Sequence, residues 1–292
     1  MTYSIVARDP ESGELGVAVQ SHWFSVGPIV PWARPGVGAV ATQANVEVAY
    51  GPRSLDLLAA GAEPGAALAQ LLAGDPLRES RQVAIVDAGG RTAAHTGGAC
   101  MAHAGDCQGD GVSCQANIMA SATVWPAMLT AYRAAEGPLA RRLLAALISA
   151  EAHGGDLRGR QSAAILVVPA TGEPWATTVS VRVEDHPDPL GELARLLTLH
   201  DAYTLAGEAD EHAAAGRHDA AAALYIGAAE LVPDSDELEF WAGLGAAQTG
   251  DLEAGLARVR AAIAVRPQWR ELLARLPAEQ VPIAPRVLSL LG

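Results

Sequence analysis

The stretch Thr2-Tyr3-Ser4-Ile5-Val6-Ala7-Arg8-Asp9-Pro10-Glu11-Ser12-Gly13-Glu14-Leu15-Gly16-Val17-Ala18-Val19-Gln20-Ser21-His22 decides how the rest of the chain is read. Two apolar runs, 3–8 and 15–20, flank Asp9-Pro10-Glu11-Ser12-Gly13, a turn by its composition, and predict an antiparallel hairpin. The turn returns the end of the second strand to the start of the first, so Gln20, Ser21 and His22 are expected within reach of Thr2. Thr2 follows Met1. Removal of Met1 leaves a hydroxyl nucleophile and a free α-amine on one residue, an attacking group with its own proton acceptor. An α-amine titrates near about 7.7–8.0, so a useful fraction is neutral at pH 7. Thr2 is therefore the candidate nucleophile. His22 is a candidate base or substrate-orienting group, against the plainer reading of a surface histidine capping a strand.

Outward from this hairpin, the first two hundred residues alternate strand groups with helix pairs. A short strand is expected over 36–42. Helices are expected after Pro52 and Pro64, since proline suits the first helical turn. A hairpin follows around Gly89-Gly90, from 82–88 and 91–95. A glycine-rich loop, 97–111, leads to a strand over 112–119. Two helices come next, one capped by Ser121 and one starting at Pro138. Strands over 163–169 and 177–184 close the domain. Helix pairs among antiparallel strand groups predict a layered α+β domain over 1–200, not a doubly wound parallel sheet. No strand is followed by G-x-G-x-x-G, which argues against a dinucleotide site.

Beyond residue 200 the pattern is helical only. Gly216 and Gly250, Ala220 and Ala254, Ala228 and Ala262, and Pro233 and Pro267 recur at the tetratricopeptide period, about 34 residues. Residues 201–292 are expected to form a small all-α domain of that kind, either structural or offering a peptide partner a groove.

The 292 residues are half hydrophobic and carry a formal charge of −13. That balance argues against nucleic-acid or acidic-membrane partners. No apolar run approaches a membrane span, and no secretory signal is visible, so a cytoplasmic location is expected. All 20 basic residues are arginine. Without lysine there is no lysine base, Schiff base or Walker-type phosphate site, and arginine cannot act as a base. Cys100, Cys107 and Cys114 lack paired zinc-ligand spacing, so neither metal nor cofactor is expected.

Further polar residues sit where strands end. Gln43 and Asn45 at the end of one strand, and Gln115 and Asn117 within a later one, repeat a Gln-x-Asn pattern whose amides suit an oxyanion hole or amide recognition. They also suit strand faces turned to water. The segment 154–162 packs Asp156, Arg158, Arg160, Gln161 and Ser162 among three glycines, and its arginines suit a carboxylate clamp.

Taken in order, several motifs resemble the bacterial domain of unknown function 1028 family. They are Thr2 with Ser4–Pro10, Gly13–Val19, Pro31–Arg34, Ala41–Ala44, Tyr50–Arg53, Gly154–Asp156 with Arg158-Gly159, Gln161–Ala163 and Asp185–Pro187. The resemblance covers about residues 1–200. It implies an N-terminal-nucleophile (Ntn) hydrolase-like fold, a four-layer αββα sandwich, and amide-cleaving chemistry with Thr2 at the nucleophile position. Proteasome-like relatives place a lysine beside the nucleophile; this chain has none.

The reading is an Ntn amidohydrolase acting on a small anionic amide, with Thr2, His22, Gln43 and Asn117 catalytic. Arg8, Ser21, Asn45, Asp156, Arg158, Arg160 and Gln161 are expected to bind substrate. A homo-oligomer is expected. The rival reading is a non-catalytic ligand-binding scaffold whose repeats recruit a partner. A third makes the repeats the functional part and the first domain a dimerisation platform.

Overall fold

The computed structural model describes residues 2–292; the expected loss of Met1 lies outside the described residues. In chain order the elements are β1 (Thr2–Arg8), β2 (Leu15–Ser21), β3 (Pro31–Arg34), β4 (Gly38–Ala44), α1 (Tyr50–Ala59), α2 (Pro64–Ala73), β5 (Arg81–Asp87), β6 (Thr92–Thr96), β7 (Gly105–Gly109), β8 (Val112–Asn117), α3 (Val124–Ala134), α4 (Leu139–Ala152), β9 (Ser162–Val168) and β10 (Val179–Val183). They are followed by α5 (Pro189–Ala214), α6 (His218–Leu231), α7 (Asp236–Gln248), α8 (Leu252–Val265), α9 (Gln268–Arg275) and α10 (Ala284–Leu290). The contacts divide the chain into two compact units, one ending at Ala194 and the other running from Arg195 to Gly292. Helix α5 crosses that division and also residue 200, where the sequence changes character.

The first unit is mixed α/β, built on two antiparallel sheets. One has the order β10-β9-β2-β1-β8-β7, the other β3-β4-β5-β6. The sheets face each other, with α3 and α4 against the outside of the first and α1 and α2 against the outside of the second. Strand alternation explains the layering. Val6, Leu15, Val17 and Val19 point between the sheets and meet Ala39, Ala41, Ala84 and Val86. Tyr3 points the other way, and its hydroxyl donates to Glu151 of α4 at 2.7 Å. On the far side, Val40, Val83 and Ile85 pack against Tyr50, Leu55 and Leu68 of α1 and α2.

The expected first hairpin is present, in register from Thr2↔Ser21 to Arg8↔Leu15. Two local expectations are corrected, and one strand is present that the sequence reading did not include. The loop read over 97–111 contains β7, which pairs with β8 and sets Cys107 opposite Cys114. Residues 31–34 form β3, a short edge strand that proline can begin. Ser121 is not the cap of α3: its hydroxyl accepts the Thr123 N–H at 3.1 Å in a local turn, and the helix begins after Thr123.

In the second unit, α6 and α8 have equal length and begin 34 residues apart, at 218 and 252. Each packs against α7. Ser235 and Asp251 cap α7 and α8 by accepting the N–H of Leu238 and Ala254. A Cβ on Gly255 would come within 2.6 Å of the Gly243 carbonyl oxygen, so glycine is what permits α7 and α8 to approach so closely. No helix among the described residues is long and apolar enough to cross a membrane.

Candidate functional site

The interface between the sheets changes character along its length. Toward one end it is the apolar cluster above. Toward the Thr2 end, the same inward face carries Thr2, Ser4, Gln115 and Asn117 from the first sheet and Gln43 and Gln82 from the second, all buried. Burial without partners would be costly, and these groups satisfy one another. Ser4 Oγ donates to Gln43 Oε1 at 2.6 Å and accepts from Gln115 Nε2 at 2.6 Å. Gln43 Nε2 donates to Gln82 Oε1 at 2.7 Å and reaches the Thr2 carbonyl oxygen at 3.3 Å. Asn117 Nδ2 donates to Gln82 Oε1 at 2.9 Å and reaches the same carbonyl at 3.4 Å. Two amides, one from each sheet, thus hold the backbone of Thr2.

Thr2 is 5% exposed, and its Oγ1 lies 3.0 Å from Ser21 Oγ. It sits on the floor of a cleft of about 480 Å³, within the size range of small-ligand sites, about 300–1,000 Å³. Ser21, Gln43 and Asn45 line the cleft with it. Its walls are apolar, with Val26, Ile29, Val30 and Val46 among them, and Trp23 and Met101 lie exposed at its edge. Ala44 and Ile118, two more of the lining residues, have φ of 68° and 56°. Left-handed backbone is costly for a β-branched residue, and such positions concentrate at functional sites.

Arg158 is the one charged residue lining the cleft among those described. Asp156 fixes it, accepting from the Arg158 backbone N–H at 2.9 Å and from Nη2 at 3.1 Å. Asp156 also accepts the His22 backbone N–H at 3.0 Å, which ties this loop to the end of β2. The family described as "Family of unknown function (DUF1028)" matches residues 2–193.

The chain belongs to the DUF1028 family.

A DUF1028-family protein of solved structure, from Silicibacter pomeroyi, is 33% identical over 67% of this chain and 87% of its own, with a TM-score of 0.62. Anbu (ancestral beta-subunit) from Yersinia bercovieri aligns at 16% identity over 66% of this chain and 91% of its own, with a TM-score of 0.34. No curated protein matches the chain.

Around Thr2, this DUF1028 member brings together Ser21, Gln43, Asn45, Asn117 and, through the cleft, Arg158. Other expected site residues lie elsewhere. Arg8 ends β1, six residues from Thr2, or roughly 20 Å along an extended strand, and its backbone N–H donates to Gly111. Arg160 pairs with Asp188 at 3.0 Å, and Gln161 donates to Asp185 at 3.1 Å, both outside the cleft lining. His22 contributes its backbone N–H to Asp156; its ring does not line the cleft, and its Nδ1 is buried beside Gly159 without a protein partner. Asp156 acts on Arg158 and does not itself line the cleft. The side-chain donors of Gln43 and Asn117 are already engaged, so these residues position Thr2 and are poorly suited to an oxyanion. Gln82 is the residue sequence reasoning passed over. Its signal was a polar residue on an inward strand position opposite another such residue, Gln43.

Proposed function

We propose that the first unit is an Ntn-hydrolase-like αββα domain and that Thr2 is the nucleophile of an amidohydrolase. What supports this is one observation: the Thr2 hydroxyl sits on the floor of a ligand-sized cleft, with its backbone clamped by Gln43 and Asn117. Thr2 Oγ1 adds to the amide carbonyl while its proton passes to the α-amine exposed by loss of Met1. The C–N bond then breaks, the amine leaves with that proton, and an acyl ester remains on Thr2. Water hydrolyses the ester, yielding a carboxylic acid and the free hydroxyl. Ser21, 3.0 Å from the nucleophile, orients it. On the same reading the second unit is tetratricopeptide-like, which the 34-residue offset of α6 and α8 supports.

The test begins with intact mass and N-terminal sequencing of the native protein, followed by an amide panel. Expected are a chain starting at Thr2, turnover retained in Thr2→Ser, and turnover cut by at least about 10³-fold in Thr2→Ala. A fully active protein that keeps Met1, or a Thr2→Ala variant at the wild-type rate, would overturn the proposal.

A further inference from the structure

We infer that the cleft takes an N-acyl amino acid, an amide with an apolar acyl chain on one side and a carboxylate on the other. The inference rests on the reading of Thr2 as nucleophile and adds what the substrate must look like. Three features of the cleft carry it. Its walls at Val26, Ile29, Val30, Val46 and Ile118 offer no polar side chain to a bound group, so they favour a chain without hydrogen-bonding needs. Besides Gln43, whose amide is engaged with the protein, its polar groups Thr2, Ser21 and Asn45 come from β1, β2 and the residue after β4, and so converge on one zone suited to a single amide linkage. Its one charged lining residue among those described is Arg158, paired with Asp156 yet 30% exposed, whose guanidinium offers directed donors suited to a carboxylate.

The geometry of Arg158 makes it a recognition group in preference to a loose surface charge. Asp156, whose side chain is fully buried, holds the guanidinium at Nε and Nη2 and takes two backbone N–H groups as well. The arginine is thereby held in place before any ligand arrives, while its side chain stays 30% exposed. A planar guanidinium held this way suits a planar carboxylate. A second, smaller cavity of about 220 Å³ shares Ala44, Asn45, Met101 and Ile118 with the cleft and adds Ser80, Cys100 and Asn117. The two left-handed residues, Ala44 and Ile118, lie on this shared boundary. The two cavities adjoin at these shared residues, which adds space beside the Thr2 zone.

The test uses the full chain carrying Thr2→Ala, so that binding is read without turnover, and calorimetry with three probes: N-hexanoyl-L-alanine, N-acetyl-L-alanine and N-hexanoyl-L-alaninamide. Loss of the carboxylate is expected to weaken binding by roughly 10- to 100-fold. Shortening the acyl chain is expected to cost about fourfold per methylene, on the order of 100-fold for hexanoyl to acetyl. Arg158→Gln is expected to abolish the preference for acid over amide while keeping the chain-length dependence, and Arg158→Lys to restore part of it. Equal binding of acid and amide, equal binding of long and short chains, or no binding of any probe overturns the inference. If the probes fail while wild type cleaves other amides through Thr2, only the substrate class falls. If they bind as expected but wild type cleaves none of them, the nucleophile reading falls and the binding inference stands.

Discussion

Replacing Gln82 by leucine tests whether the buried amide network holds the two sheets together at the Thr2 end. Gln82 is fully buried. Its Nε2 donates to Thr96 Oγ1 at 3.0 Å, to the Gly105 carbonyl at 3.2 Å and to the Ala116 carbonyl at 2.9 Å. Its Oε1 accepts from Gln43 and Asn117. Two N–H donors and two lone pairs are thus fully used, and net hydrogen bonds of about 1 kcal/mol each give roughly 4 kcal/mol. Leucine has nearly the same volume and regains about 1–2 kcal/mol of apolar burial. Asn117 Nδ2 is left with only its 3.4 Å contact to the Thr2 carbonyl, which adds a desolvation cost. The expected net loss is about 3 kcal/mol, a large share of a typical domain's stability of about 5–15 kcal/mol. Hydrogen exchange read by mass spectrometry on β1, β4 and β5 measures it, with α6–α8 as the internal reference. A loss below about 1 kcal/mol would refute the reasoning, because a leucine would then serve as well as the amide.

Other outcomes are expected from the same structure. Ala44→Gly relieves a φ of 68° and should stabilise the chain by about 0.5–1 kcal/mol in urea unfolding, whereas a loss would mean the backbone is not strained there. Gly255→Ala drives a Cβ against the Gly243 carbonyl and Ala247 and should destabilise the second unit by about 1–3 kcal/mol, seen as a lower Tm. Asp75 accepts from Arg81 Nε at 2.8 Å, and mainly for that reason its carboxyl is lowered to about 2. Its depressed value stabilises the fold above the ordinary carboxylate range, and that contribution is lost as pH falls toward about 2. Asp75→Asn should therefore flatten the decline of stability between about pH 5 and 2.5; an unchanged slope would exclude the linkage. If the α-amine of Thr2 is the base, turnover should rise with pH through about 8 as the amine loses its proton, and a rate flat across that range would exclude it.

The sequence was most readable where local signals and tertiary context agree. The 2–21 hairpin had apolar strands, a polar turn and an expected return of residues 20–22 to the neighbourhood of Thr2; the structure shows the hairpin and pairs Ser21 with Thr2. Strand alternation tells which residues share a face but not what lies across it. Gln43, Gln115 and Asn117 were compatible with a water-facing side; they face a second sheet instead and are fully or almost fully buried. The same gap hid Gln82, whose partners come from four other strands, three of them not its hairpin neighbour. Arg8 shows the opposite failure: it lies on the candidate nucleophile's own strand, yet strand length carries it away from the site. Strand β7 was lost to its glycines, because Gly105 and Gly109 read as loop, although a Cβ on Gly105 would collide with the Trp125 ring.

Strand β1 has a mechanical consequence. It is laddered on both sides, with β2 from Ser21 to Leu15 and with β8 from Asn117 to Val112. Tension applied through Thr2 along the strand must shear both ladders together before the chain yields. Tension applied at Gly292 meets first the seven-residue helix α10, which can peel away one turn at a time. An unfolding machine would therefore find the two ends of this chain very different handles, with the candidate nucleophile fixed at the stiffer one.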